Sequence, residues 1–159
     1  MPTTAIKIKD TAAMMEEIRS LIAQGRTVTI TAKGNSMNPF IANGRDQITL
    51  GPWKKEDVVP GCVALVKDTR GIYLIHRVVK VEQDHIVLLG DGNVAQYEKA
   101  ELSQIIGLMK SICRKGKTYE SDSFVWRTYS LIWKWVTPVR RYPLGLWRRL
   151  HRNLLFVRK

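Results

Sequence analysis

The stretch "KGNSMNPFI", Lys33 to Ile41, lies between two apolar segments that are typical of β-strands. It places Ser36 in a short polar turn, with Gly34 before it and Pro39 after it. Turns of this composition are typical of surface loops. A turn can also present a serine hydroxyl at the tip of a tight loop, so Ser36 is a candidate nucleophile.

The segments around this turn predict a mainly β protein. "RTVTITAK" alternates apolar and β-branched residues before the turn, and short β runs follow it, separated by Gly, Pro, Asp and Asn. These runs are "DQITLGPW", "GCVALVK", "GIYLIHRVVKV", "HIVLLGD" and "QIIGLMKSICRKG". Closely spaced strands with turn signals predict a small antiparallel β-rich body. Ahead of it, "DTAAMMEEIRSLIAQG" predicts a helix that begins at Asp10 or Thr11 and ends at Gly25.

The C-terminal part of the chain differs in composition from the rest. From Phe124 onward there are nine Lys or Arg, no Asp or Glu, and four of the five Trp. Most of the net charge of +12 therefore lies in this tail. The change in composition predicts three parts: an N-terminal helix packed on the body at 1–26, a β-rich body at 27–120 and a basic amphipathic helical tail at 121–159.

Length and composition limit the class of protein. The chain has 159 residues and 45% apolar residues, which is enough for a core. No run of about 18 apolar residues predicts a transmembrane helix, and the N-terminus does not have the pattern of a signal peptide. A cytoplasmic location is therefore expected. Cys62 and Cys113 lie in separate β runs without CxxC spacing, which favours small buried hydrophobic residues. We expect no metal and no cofactor.

A serine hydroxyl needs a base before it becomes a good nucleophile. Of the three histidines, His85 lies in a polar turn and His151 in the basic tail, whereas His76 lies on a predicted strand that can hold a base in place. Asp91 in "LLGDGN" follows a strand and could orient that base. Each motif alone is also typical of a structural role, since a strand histidine is often a core residue and "GDGN" is typical of a hairpin turn.

Taken in order, "GNSMNPFI", "GRDQITL", "VVPGCVALV", "YLIHRVVKV" and "LLGDGN" resemble the type I signal peptidase clan, which also includes the self-cleaving SOS-type repressors. "SMxP" marks the nucleophile in that clan. "HRVV" resembles the endoplasmic-reticulum and archaeal-type branch, where His replaces the usual Lys base, and "GDxN" resembles the segment that supplies its acidic residue. The match covers about Thr27 to Lys110 and is similar to short bacterial members with a basic, Trp-rich tail.

The resemblance implies that the body is the catalytic domain of a serine endopeptidase. Ser36 is then the nucleophile, His76 the general base and Asp91 the orienting carboxylate. The backbone N–H of Ser36 is the expected oxyanion donor, and Met37 and Pro39 are expected at the substrate groove. The expected reaction is cleavage of a peptide bond, through an acyl-enzyme, in an extended segment of a protein or leader peptide.

The chain departs from the family at three points. Gly34 stands where signal peptidases usually have a Ser that assists the oxyanion hole. Tyr97, with Glu98 beside it, stands where the His branch usually has a further Asp. True signal peptidases also have a membrane-spanning N-terminus. Two alternatives therefore stay open: a non-catalytic relative that binds peptide, and a regulator that contacts nucleic acid through its tail. The second alternative is disfavoured because no helix-turn-helix domain precedes the body.

The tail has three interpretations: a membrane-surface helix, a nucleic-acid contact, or a helix packed on the body. In "FVWRTYSLIWKWV" an apolar stripe at helical spacing and a high density of Trp favour an anionic membrane surface over nucleic acid. The expected stripe comprises Val125, Tyr129, Ile132, Trp133 and Val136, away from Arg127, Ser130 and Lys134. The expected membrane contacts are Trp126, Trp133, Trp135, Arg140, Arg141, Trp147, Arg148 and Arg149. These residues predict peripheral attachment to the inner face of the cell membrane.

Overall fold

The structure is a computed structural model that describes residues 11–136, 139 and 141–150, apart from the side chains of residues 11, 147 and 148. It confirms a mainly β protein with helices at both ends. The helices are α1 (Thr11–Ala23), α2 (Phe124–Val136) and α3 (Arg141–Leu150). The strands are β1 (Val28–Thr31), β2 (Gln47–Gly51), β3 (Val63–Lys67), β4 (Tyr73–Val81), β5 (His85–Leu89), β6 (Tyr97–Glu101), β7 (Ile105–Arg114) and β8 (Lys117–Glu120).

Within the described residues the eight strands form one sheet in the order β1-β2-β7-β3-β4-β5-β6, with β8 paired to β7. All of these pairs are antiparallel. The sequence pattern predicted six of the strands but not β6 or β8. In β6 the two buried positions are Glu98 and Ala100, so the strand lacks the apolar alternation that would reveal it. β8 has no fully buried position.

Two clusters of buried apolar side chains form the core. The first joins α1 to the sheet through Ile18 and Ile22, and it also contains Met37 and Trp126. The second lies around β4 and β5, with Val78, Ile86 and Leu88 among its members. Because Trp126 belongs to α2, that helix contributes directly to the first cluster.

The sheet brings three segments to one end of its β4–β5–β6 region. Arg77 on β4 pairs with Leu89 on β5, and Leu88 pairs with Glu98 on β6. His76 therefore lies level with the start of the turn that follows β5, and Glu98 lies across β5 from it. The loop at 32–46, which joins β1 to β2 and carries Ser36, packs against the same turn, as described below.

The tail is helical in α2 and α3, but the predicted inward face of α2 is wrong in part. Val125 and Ile132 are 51% and 55% exposed, whereas Trp126 is 3% exposed and Ser130 is turned towards the body. Among the residues that the structure describes, no helix is long and apolar enough to cross a membrane.

Candidate active site

The loop that carries Ser36 is anchored by a buried carboxylate. The Ala42 N–H donates to Asp46 Oδ2 (2.8 Å), and Arg45 binds the same carboxylate (2.6 Å). Burial alone would raise the pKa of Asp46, but the hydrogen bonds from Arg45 and Ala42 outweigh it and hold that pKa below its usual value. The Asp46 carbonyl also accepts the Ala32 N–H. The loop is thus closed at its base, and Ser36 at its tip is half-buried.

The two residues expected at a substrate groove have different places. Met37 is 4% exposed and packs in the first core cluster, so the groove role predicted for it is wrong. Pro39 is half-buried, and its carbonyl accepts a hydrogen bond from Arg114 (2.9 Å). That bond fixes the chain as it leaves the loop, while a contact between Pro39 and substrate stays a prediction.

His76 is held by a carboxylate that the sequence did not assign to it. Its Nδ1 lies 3.0 Å from Oε2 of Glu98, and the two residues are 5% and 8% exposed. An ionised carboxylate only accepts hydrogen bonds, so a neutral imidazole beside it has its proton on Nδ1 and its lone pair on Nε2. A nitrogen in this state can accept a proton, which is what a general base must do.

Asp91 does not orient His76, and the role predicted for it is wrong. Its carboxylate instead forms two parallel hydrogen bonds with Arg77, at 2.8 and 2.7 Å. Both residues are buried, at 1% and 4% exposed. Burial would lower the pKa of Arg77, but the attraction of Asp91 outweighs it and the net pKa is raised. The sequence signal for Glu98 was its place beside Tyr97, the position at which the His branch of the signal peptidase clan usually has a further acid.

Gly90 lies where the Ser36 loop and His76 meet. A Cβ added there would collide with the Ser36 carbonyl oxygen and lie 3.0 Å from His76 Nε2. The next glycine, Gly92, donates its N–H to the same Ser36 carbonyl (2.7 Å). The structure therefore brings Ser36 and His76 to one place, although no hydrogen bond joins the Ser36 hydroxyl to the imidazole among the described residues. Apo active sites often show such loose geometry.

Two backbone N–H groups of the Ser36 loop differ in their hydrogen bonds. The Gly34 N–H donates to Asn43 Oδ1 (3.2 Å). Within the described part of the chain, the Ser36 N–H donates to no backbone acceptor. The Gly34 N–H is thus engaged, whereas the role of the Ser36 N–H as an oxyanion donor stays a prediction.

Helix α2 covers the outer side of the Arg77–Asp91 pair. Arg77 Nη1 donates to Ser130 Oγ (2.7 Å), the Tyr129 hydroxyl donates to Asp91 Oδ2 (3.3 Å), and the Trp133 indole N–H donates to the Asp91 carbonyl (3.1 Å). The Arg77 guanidinium also lies over the rings of Trp126 and Tyr129, at 5.1 and 5.4 Å. Sequence analysis missed this contribution because a helix at the end of the chain gives no sign of which strand it covers.

The residues predicted to contact a membrane fall into three groups. Trp126 is 3% exposed, so the prediction is wrong for it. Trp133 is half-buried and donates its indole N–H to the Asp91 carbonyl, and a membrane contact for it stays a prediction. Trp135 is 82% exposed, and Arg141 and Arg149 are exposed as well. Arg140 and the side chains of Trp147 and Arg148 lie outside the described residues.

A cavity of about 220 Å³ lies between α2 and the ends of β4 and β5. It is lined mainly by apolar side chains, with Arg77 and Asp91 at one side, and neither Ser36 nor His76 lines it. Among the described residues no three His, Cys, Asp or Glu side chains come together to hold a metal ion.

No protein-family model matches the chain, and no curated protein matches it either. The likeness to signal peptidases thus consists of the ordered motifs in the sequence, and the geometry of the site is independent of it.

Proposed function

We propose that this protein is a serine endopeptidase in which Ser36 is the nucleophile, His76 the general base and Glu98 the carboxylate that orients the base. The observation that carries the proposal is the buried His76–Glu98 hydrogen bond, whose imidazole presents its second nitrogen towards Gly90 and the Ser36 loop. A strand histidine with a purely structural role needs neither a buried carboxylate nor a serine loop beside it.

The proposed reaction follows from these positions. His76 Nε2 takes the proton of the Ser36 hydroxyl as Oγ bonds to the carbonyl carbon of the substrate. The carbonyl oxygen becomes an oxyanion, which the Ser36 N–H can stabilise. The imidazolium, stabilised by Glu98, then gives its proton to the leaving amine as the C–N bond breaks. Water then attacks the resulting acyl-enzyme and gives its proton to the same base. The ester bond to Ser36 Oγ breaks, which releases the carboxylic acid product and the free serine.

The substrate proposed is an extended segment of a protein or leader peptide, as the family resemblance implies. A fluorophosphonate probe tests the nucleophile without a known substrate, because an activated serine displaces fluoride and forms a stable adduct. We expect one adduct on Ser36, found by peptide mass spectrometry, and none in Ser36→Ala. Ser103→Ala, which changes an exposed serine, is the matched control and should label like the wild type. An adduct that persists in Ser36→Ala would contradict the proposal.

We also propose that the protein attaches peripherally to the anionic inner face of the cell membrane through the outward face of α2. This face comprises the exposed apolar residues Phe124, Val125, Leu131, Ile132 and Trp135. Phe124, Leu131 and Trp135 are spaced by seven and four residues, which places them along one side of the helix. The basic residues Arg127 and Lys134 are both exposed on the same helix.

The charge of the tail favours lipid over a protein partner. Phe124 and Trp135 are each 82% exposed, and such large apolar side chains are unfavourable in water. A helix at a membrane interface buries residues of this kind at the level of the lipid headgroups. Each Lys or Arg near an anionic surface adds about 1 kcal/mol. With nine such residues and no acid from Phe124 onward, the attachment should be strong and should weaken as salt increases.

Co-sedimentation with vesicles tests this attachment. Full-length protein should pellet with vesicles that contain phosphatidylglycerol, and less with neutral vesicles or at high salt. The double variant Leu131→Ser/Trp135→Ser should pellet less than the wild type. Val59→Ser/Ile72→Ser is the matched control, since both residues are 51% exposed and lie outside the tail. Equal pelleting of the two double variants would contradict the proposal.

A further inference from the structure

Helix α2 has two faces with different chemistry. Its outward face is the apolar set defined above. Its inward face comprises Trp126, Tyr129, Ser130 and Trp133, all of which contact the body. A helix that joins two different surfaces can transmit a change at one of them to the other.

The inward face contacts the nucleophile loop directly. The ring of Phe40, which follows Pro39 in that loop, stacks on Tyr129 with ring centres 4.2 Å apart. Phe40 also meets Trp126 edge to face, with ring centres 4.7 Å apart. The Arg114 guanidinium also lies over the Phe40 ring, 5.4 Å from the ring centre. The position of Phe40, and with it the end of the Ser36 loop, therefore depends on α2.

The same face also contacts the turn beside His76. Asp91 accepts hydrogen bonds from Tyr129 and Trp133 of α2, and it lies between the two glycines that touch the Ser36 loop. The Tyr129 hydroxyl remains a donor because burial, and then the charge of Asp91, raise its pKa. Asp91 is thus held from one side by α2, while Gly90 and Gly92 on either side of it set the distance between Ser36 and His76.

We propose that α2 is a latch that positions both active-site loops, and that an anionic lipid surface bound to its outward face favours the latched state. Tyr129, Ser130 and Trp133 are then positioning residues rather than catalytic ones, since they act through Phe40, Arg77 and Asp91. The proposal rests on the proposed peptidase activity and assigns that activity a regulator: the protein is most active where it is attached to the membrane.

A ligand can shift such an equilibrium only as far as it binds one state better than the other. Lipid favours the latched state if the outward face can lie flat on the surface only when α2 is fully helical and seated. Hydrogen bonds to charged groups, such as that from Arg77 to Ser130, are strong enough that losing one should change the ratio of latched to unlatched protein by about tenfold or more.

The first test measures the rate of fluorophosphonate labelling with and without phosphatidylglycerol vesicles, using the full chain. We expect vesicles to speed labelling of the wild type several-fold. Ser130→Ala should lower the vesicle-free rate by about tenfold or more, as the loss of one hydrogen bond to a charged group predicts. Vesicles should restore part of that loss. Rescue by lipid separates a positioning role from a merely structural one, and a rate that is unchanged in Ser130→Ala or unaffected by vesicles would overturn the proposal.

The second test does not depend on catalysis. Amide hydrogen exchange reports how often a segment opens, so exchange in peptides that span residues 33–41 and 86–97 reports the two loops. Vesicles should slow this exchange in the wild type and in Ile72→Ser, but not in Leu131→Ser/Trp135→Ser. If exchange responds as expected while Ser36 is never labelled, the latch is supported and the peptidase proposal fails. If Ser36 is labelled but vesicles do not change exchange in either loop, the peptidase proposal is supported and the latch proposal is wrong.

Discussion

Strand β4 carries two neighbouring residues, His76 and Arg77, and each has a buried carboxylate partner. The partner of His76 lies on β6, and the partner of Arg77 lies in the turn after β5. His76 meets Glu98 through one hydrogen bond, and its other ring nitrogen faces Gly90 and the Ser36 loop. Arg77 meets Asp91 through two hydrogen bonds, and its remaining nitrogen is bound by the Gly61 carbonyl and the Ser130 hydroxyl.

The difference shows why one pair is suited to chemistry and the other to structure. A buried ion pair is tolerated when its partners satisfy each other's hydrogen-bonding groups, as in Arg77–Asp91. A general base must keep one nitrogen unengaged, as His76 does within the described residues. Changes in the His76–Glu98 pair should therefore affect the reaction rate more than the stability. Changes in the Arg77–Asp91 pair should affect the stability more than the rate.

The largest effect is expected from His76→Asn. The Asn amide nitrogen can replace Nδ1 as the donor to Glu98, but nothing replaces Nε2. Labelling of Ser36 should fall by about 10²- to 10⁴-fold, the usual contribution of a general base, while the free energy of unfolding changes little. Stopped-flow or gel-based labelling rates and urea unfolding measure the two quantities. His85→Asn, at an exposed histidine, should change neither quantity. A wild-type labelling rate in His76→Asn would contradict the role of His76 as the base and would leave no difference in function between the two pairs.

Arg77→Met should have the largest effect on stability. It leaves the Asp91 charge buried without its partner, which costs about 3–5 kcal/mol. Urea unfolding measures this loss. Lys80→Met is the matched control, because Lys80 also pairs with a carboxylate, Glu82 at 2.9 Å, but the two side chains are 67% and 38% exposed. A surface pair contributes about 0–1 kcal/mol, so equal losses in the two variants would contradict the structural role of Arg77.

Glu98→Gln and Asp91→Asn compare the two carboxylates directly. Glu98→Gln should lower the labelling rate, since a neutral amide cannot stabilise the imidazolium, and it should reduce stability by about 1–3 kcal/mol at most. Asp91→Asn should reduce stability more than Glu98→Gln and the labelling rate less. If one variant shows both the larger loss of labelling rate and the larger loss of stability, the two pairs do not have separate roles.

The smallest effect concerns the anchor of the Ser36 loop. The folded-state pKa of Asp46 is lowered, so its contribution to stability is present above the unfolded pKa of about 3.9 and is lost as pH falls through the folded pKa. Asp46→Asn should reduce the free energy of unfolding by about 1–3 kcal/mol at pH 7. Urea unfolding at several pH values should show the difference shrinking below about pH 4. A constant difference down to pH 2 would show that the charge of Asp46 is irrelevant.

Much of the fold could be predicted from the sequence because its elements follow simple patterns. α1 and six strands have clear apolar periodicity and turn residues at their ends. β6 could not be predicted, since Glu98 occupies one of its buried positions. The site prediction had the same weakness: Ser36 and His76 lie in recognisable motifs, but the choice between Asp91 and Glu98 depends on which way each side chain faces from its strand end.

The tail shows a second limit of sequence patterns. Composition identified a basic, Trp-rich helix, yet α2 is apolar on two sides, and a hydrophobic pattern alone does not say which side packs inward. Trp126 and Trp133 pack on the body because they meet Phe40, Arg77 and Asp91, residues that are distant in the chain. Trp135 meets no such counterpart in the described part of the chain and is 82% exposed.

The pH dependence of Ser36 labelling in the full-length wild type tests the central claim, that the His76–Glu98 pair activates Ser36. The account predicts a single adduct on Ser36 whose rate of formation rises with pH along one limb, because only the neutral imidazole accepts the serine proton. In His76→Asn this limb should disappear together with the fast rate. No adduct on Ser36 in the wild type, or the same pH-dependent rate in His76→Asn, would contradict the account.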